Sequence, residues 1–175
     1  MAVLVNNPII DAVLDRYAAQ LGDSATDYRN HLYRALNYQL RLLNTQEPAP
    51  EIALAWAVHD IGIWTAGTWD YLEPSAQLVD EWAAQFGVTD IARTKEMVLD
   101  HHKLRSVTDP YVETFRLADR VDAFRGLTLG TALTRDDVRE VVAALPYGGF
   151  HTFLIRSAAT WTRHHPLRPL PMLRW

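Results

Sequence analysis

The chain has 175 residues, 49% of them hydrophobic, a formal net charge of −4 and no cysteine. That is apolar material for one domain over 1–175, and a charge balance without attraction for a phosphate backbone, so no nucleic-acid partner is expected. The lack of cysteine removes disulfides, thiolate nucleophiles and zinc–thiolate sites together, and leaves His and carboxylate groups as the strong metal ligands.

No segment approaches the roughly 18 uncharged apolar residues of a membrane span. Met1 to Pro8 lacks the basic start of a signal peptide, and Asp11 and Asp15 break the apolar run behind it, so a cytoplasmic protein without a membrane partner is expected. A first helix is predicted from Pro8 to Leu21, ended by Gly22 in a left-handed cap. A second follows Ser24 or Thr26 and reaches Asn44, ahead of Pro48 and Pro50. The third starts at Pro50, suited to a first helical turn, and runs to Ile63. Further helices are predicted at Pro74 to Phe86 before Gly87, at Asp90 to His102 after a Thr89 cap, and from Asp109-Pro110 to a stop at Gly126. Thr134 with Asp137 reads as an acidic capping box for a helix ending at Pro146, and a last helix covers Phe150 to Arg163.

No alternating strand pattern and no internal repeat is present, so the fold class is all-α, a compact helical bundle. The tail from Pro166 cannot be regular helix because Pro169 and Pro171 interrupt it, and its leucines and Trp175 suggest packing on the domain. From His151 onward there is no acidic residue, while Arg156, Arg163, Arg168 and Arg174 are basic. This end reads as a solvated surface or packed strap, with a substrate or partner contact as the alternative.

Four polar residues fall on apolar faces. Tyr28, His31, Ala35, Tyr38 and Leu42 share one side of the second helix, which turns His31 inward. Ile52 to Val58 is an unbroken apolar run leading into His59-Asp60, so this helix is buried nearly all round. An ionised Asp there costs many kcal/mol unless a cation or several donors face it. Val112, Phe115, Asp119 and Ala123 line one face of a later helix and repeat the anomaly with a second carboxylate. Two carboxylates buried together repel, and a divalent cation between them with neutral imidazoles removes the conflict. Such an N/O set suits Mn, Fe, Co, Ni, Zn or Mg.

His31, the doublet within His59-Asp60-Ile61-Gly62, and Asp119 within Ala118-Asp119-Arg120-Val121-Asp122 resemble the signature of the HD-domain phosphohydrolase superfamily. Asp100-His101-His102-Lys103 resembles the His-bearing helix that members carry between the doublet and the last Asp, and Arg34 falls one turn after the first His. The matched elements span 28–125, ahead of the C-terminal helix and Pro-rich tail at 150–175. The resemblance implies an HD-type helical bundle, a divalent metal ion held by His31, His59, Asp60 and Asp119, and hydrolysis of a phosphate ester on a small molecule, such as a nucleotide, by metal-activated water. Asp60 is then catalytic as well as a ligand, and His101 or His102 could bind a second metal or protonate the leaving oxygen. Lys103, Arg34 and Arg120 are candidates to hold phosphoryl oxygens. Neighbours on a helix diverge by about 100°, so one of the two histidines should face the site, with His101 preferred.

Asp122, one turn after Asp119, is expected to orient a ligand or pair with an Arg. His151, His164 and His165 fall outside the constellation, the last two facing solvent. The segment from Trp64 to Ser75, with Trp69, Asp70, Tyr71 and Glu73, should form a loop over the site and set specificity. Departures leave the branch open: Ile63 stands where some nucleotidase members have a catalytic Glu and where other branches carry Lys, and no Gly-Tyr-Pro extension is present. An HD-fold di-iron oxygenase, a small-molecule hydratase and a nucleotide-binding domain without catalysis remain alternatives. Oligomeric state is not legible.

Overall fold

The computed structural model describes residues 1–127 and 132–173. Arg174 and Trp175, to which the sequence assigned basic charge and packing, lie outside the described residues. The helices are α1 (Pro8–Arg16), α2 (Ala18–Leu21), α3 (Ala25–Leu43), α4 (Pro50–Val58), α5 (Gly62–Thr65), α6 (Leu72–Phe86), α7 (Ile91–Asp100), α8 (Pro110–Ala123), α9 (Arg135–Ala144) and α10 (Phe150–His164). The fold is all-α, with no strand among the described residues.

The punctuation residues act largely as their chemistry requires. Asn7 accepts from the amides of Ile9 and Ile10 to cap α1, and Asp109 does the same for α8 through Tyr111 and Val112. Thr134 and Asp137 form a reciprocal capping box on α9. Asn44 and Gly87 close α3 and α6 at φ 52° and 66°, in the left-handed region.

Several boundaries differ from the sequence reading, among them the end of the third helix at Val58 instead of Ile63 and the three that follow. The first helix breaks at Tyr17, whose amide is shared between the Val13 and Leu14 carbonyls. Gly22 takes a φ of 51° but a ψ of −130°, and opens a 3₁₀ turn over Gly22–Ser24 instead of closing a left-handed cap. Asp90, not Thr89, caps α7 by accepting from Arg93, because Glu51 takes the Thr89 amide and hydroxyl.

At the centre of the bundle, α3 packs along α8, and α4 is surrounded by α1, α6 and α7. Every residue from Ile52 to Val58 is buried, as the unbroken apolar run required. The remaining walls come from α9 and α10 against α3. The tail after His164 carries no helix among its described residues and returns Met172 to the interior at 6% exposure. Among the described residues no helix is long and apolar enough to cross a membrane.

Candidate metal centre

The doublet sits where the helical course tightens. After α4 the Ile61 amide bonds the Val58 carbonyl and the Ile63 amide bonds that of Asp60, both one residue short of an α-helical step. A 3₁₀ segment of this kind inside a helix re-aims its side chains, and both His59 and Asp60 point at the cluster that α3, α7 and α8 complete. His31, His59, Asp60 and Asp119 are 1%, 0%, 5% and 4% exposed.

Their donor atoms converge. His31 Nε2 lies 3.2 Å from His59 Nε2, 3.7 Å from Asp60 Oδ2 and 3.6 Å from Asp119 Oδ1. From His59 Nε2, Asp60 Oδ2 is 3.3 Å away and Asp119 Oδ1 3.8 Å. Ligand atoms sharing one cation at about 2.1 Å stand roughly 3.0–3.5 Å apart, so this spacing is close to that of a coordination shell.

The far ring nitrogens fix the tautomers. His59 Nδ1 donates to the Trp56 carbonyl at 3.0 Å, and His31 Nδ1 donates to Asp122 at 2.8 Å. Rings so held turn their two Nε2 atoms toward each other, an arrangement that a cation between them relieves. Asp122 is itself fixed by Arg34, whose Nε and Nη2 reach its two oxygens at 2.6 and 2.9 Å.

A second group adjoins the first. His101 Nδ1 donates to the Val98 carbonyl at 2.7 Å, which leaves His101 Nε2 turned toward Asp60 Oδ1 at 3.4 Å. Both atoms are buried without a hydrogen-bond partner. Asp60, His101 and His102 form a second triad able to hold a metal ion, next to that of His31, His59 and Asp60, with Asp60 common to both. The buried orphan atoms and the N/O donor set fit divalent metal ions. His102 Nε2 is hydrogen-bonded to the Tyr71 hydroxyl at 2.7 Å.

The expectation that only one of the two histidines would face the site is corrected here. Helix α7 ends at Asp100 and the chain turns at His101 and His102. The 100° divergence of a continuing helix does not apply, and the two rings lie with centroids 3.9 Å apart.

The expected phosphoryl-binding cations separate. Arg34 is fully buried, and besides Asp122 its Nη1 donates to the Leu145 and Pro146 carbonyls at 3.2 and 2.9 Å. It therefore stands behind His31 and holds Asp122. Lys103 Nζ pairs with Asp100 at 2.9 Å, and the Lys103 carbonyl accepts from Arg116 and Arg120. Arg120 alone of the three lines a cavity beside His101, His102 and Asp119.

Electrostatics mark the conflict between the carboxylates. Burial acts to raise Asp60, but the His59 and His101 imidazoles overcome it and hold the carboxyl well below its usual range. Burial pushes Asp119 up to about 7, the charges of Asp60 and Asp122 adding to it against the pull of His101. Burial lowers His31 against the raising effect of Asp122, and lowers His102 well below the usual imidazole value with His101 assisting.

Two cavities meet at the cluster. One, of about 470 Å³, is lined by Arg120, Leu104, Phe124 and Leu173 along with His101, His102 and Asp119. The other, of about 240 Å³, reaches His31, Asp60, His102 and Asp119 from the side of Trp69, Tyr71, Phe150 and α10. The expected loop over the site is shorter than the sequence suggested, since α5 extends to Thr65 and α6 begins at Leu72, but Trp69 and Tyr71 do face the cluster.

Sequence reasoning set His151 apart, and it does not join the donor set. Its Nε2 is 2.9 Å from the Asp122 carbonyl, where it supports α8, and a lone inward His carries no signal that would have shown this. Phe150, Leu154 and Ala158 were equally unreadable as cavity walls, since apolar residues at helical spacing look like core. His164 and His165 are exposed, as expected. Comparisons with protein-family profiles, with curated proteins and with solved structures find no match.

Proposed function

We propose that this chain is a metal-dependent hydrolase of the HD-domain type that cleaves a phosphate ester of a small molecule with water. The observation that carries the reading is the pair of buried Nε2 atoms 3.2 Å apart, each ring oriented from behind, with Asp60 and Asp119 closing the shell. His31, His59, Asp60 and Asp119 would hold a divalent ion (Mn, Fe, Co, Ni, Zn or Mg), and the free oxygen of Asp60 with His101 and His102 would hold another. When bound, such ions supply Lewis acidity that acidifies water and offsets negative charge developing at the reacting centre.

The remaining work falls to the protein. Asp122, anchored by Arg34, keeps the His31 proton on Nδ1 and its Nε2 available. Arg120, oriented by the Lys103 carbonyl, lines the larger cavity and meets phosphoryl oxygens there. The Tyr71–His102 hydrogen bond lies at the wall of the smaller cavity, where its proton is placed to reach a leaving oxygen.

A screen of phosphate mono- and diesters with each divalent ion tests this. Turnover that depends on metal and disappears together with bound metal in Asp60→Ala is the expected result. Turnover by a metal-replete Asp60→Ala variant, or none with any ion, would overturn it. The triad around His101 also favours a second reading, an oxygenase using two irons; an absorption band from iron and oxygen-dependent turnover would select that reading instead.

A further inference from the structure

The smaller cavity is unlike a nucleotide site. Its walls are Trp69, Tyr71, Phe150, Leu154, Ala158 and Met172, with Ile155 at the mouth. Among the described residues that line it there is no Lys, Arg, Ser, Thr, Asn or Gln. Its polar groups are the ligand cluster itself, the Tyr71 hydroxyl already joined to His102, and the indole N–H of Trp69. Trp69, Tyr71, Phe150 and Met172 are 8%, 2%, 2% and 6% exposed, so this part of the wall is set by packing, while Leu154 and Ala158 are half-buried and Ile155 is exposed. Its volume of about 240 Å³ is below the usual range of drug-sized ligand pockets.

Polar atoms placed against these apolar walls, away from the cluster, would lose water and find few partners. Each buried donor or acceptor left unpaired costs about 1–3 kcal/mol, and a nucleobase with its ribose brings several. A compact ring or branched alkyl group meets no such penalty and gains from every square ångström it covers.

We infer that this chamber receives the non-reacting part of the substrate and selects a small, uncharged, apolar group (an aryl or branched alkyl residue) in place of a nucleoside or sugar. The inference rests on the reading of the cluster as the reaction centre, and it sets the substrate class of that same site. The reacting group sits at the cluster with Arg120 on one side, and the apolar group fills the space under α10. Selectivity comes from shape and from the absence of partners for polar atoms, so a nucleotide is rejected by its unpaired groups more than by its size.

Calorimetric binding to the metal-supplemented protein tests the inference with four probes: phenylphosphonate, methylphosphonate, adenosine 5′-monophosphate and benzyl alcohol. Burying about 100 Å² of ring surface should make phenylphosphonate bind on the order of fiftyfold more tightly than methylphosphonate. The nucleotide should bind more weakly than phenylphosphonate. Ala158→Trp fills the chamber from α10, and it should keep its metal content while losing both the phenyl advantage and benzyl alcohol binding.

Nucleotide binding as tight as that of phenylphosphonate, a phenyl advantage below threefold, or an advantage unchanged in Ala158→Trp would each overturn the inference. The reading beneath it fails separately: if benzyl alcohol binds and is displaced by Ala158→Trp while no phosphate ester turns over with any ion, the chamber stands and phosphate-ester hydrolysis falls.

Discussion

Replacing Asp122 by Asn probes the support behind the cluster without touching a donor atom. Asp122 is fully buried and receives three charge-assisted bonds: Arg34 Nε at 2.6 Å on one oxygen, and Arg34 Nη2 at 2.9 Å with His31 Nδ1 at 2.8 Å on the other. An amide keeps only one accepting oxygen. It settles with that oxygen toward Nη2 and His31, which sets its NH₂ against the Arg34 Nε–H. Breaking a buried ion pair costs about 3–5 kcal/mol. Because the Leu145 and Pro146 carbonyls still accept from Arg34, the loss should lie near the low end, about 3 kcal/mol. Without the carboxylate charge the His31 imidazole is also less basic, and metal affinity should fall about tenfold, the lower end for partners that orient ligands. Urea unfolding followed by circular dichroism reads the first effect, and metal titration of the chelated protein reads the second. A loss under about 1 kcal/mol with unchanged affinity would refute the account of Arg34 and Asp122 as the brace for His31.

Chelation should lower the melting temperature of metal-loaded protein by about 10 °C, since an ion at a thousandfold over its Kd contributes about 4 kcal/mol and each kcal/mol moves a domain of this size by about 2–4 °C; an unchanged melting curve contradicts a site that joins four helices. Asp119 is raised to about 7 in the folded, metal-free chain and titrates near 4 when unfolded. Between those values the folded form binds more protons, so this group's contribution to stability falls as pH rises through the window. In metal-free protein, Asp119→Asn should therefore gain on the wild type by about 2.5 kcal/mol more at pH 7.5 than at pH 5, and a gain that is larger at pH 5 reverses the sign and defeats the argument. At Gly62 an added Cβ would lie 2.7 Å from Ser75 Oγ and 2.8 Å from the Tyr71 carbonyl oxygen. Backbone cannot yield as a side chain does, so Gly62→Ala should cost about 1–3 kcal/mol in thermal or urea unfolding, and a neutral result would deny the close contact of α5 with α6.

What could be read from the sequence was whatever broke a pattern. His31, Asp60 and Asp119 stood out because polar groups on apolar faces need partners, and the structure brings them together with His59. The caps at Asp109 and Thr134 were legible for a similar reason, since each depends on a side chain within three residues of the backbone it serves. Relations between distant residues were not legible. Arg34 reads as a free cation until Asp122, 88 positions later, is found against it. His102 was discounted because the periodicity argument assumed that α7 continued through it. The apolar chamber left no trace, because Phe150, Leu154 and Ala158 repeat at the interval of an ordinary buried helix face, and only the fold reveals that a cavity lies beside them.

Elemental analysis of the purified protein, before and after dialysis against each divalent ion, measures the central claim directly. The account predicts about one or two equivalents of a first-row transition metal or magnesium per chain, retained through dialysis by the wild type and lost in His31→Ala and Asp60→Asn variants that still fold. A folded wild-type protein that neither carries nor takes up any of these ions would contradict it.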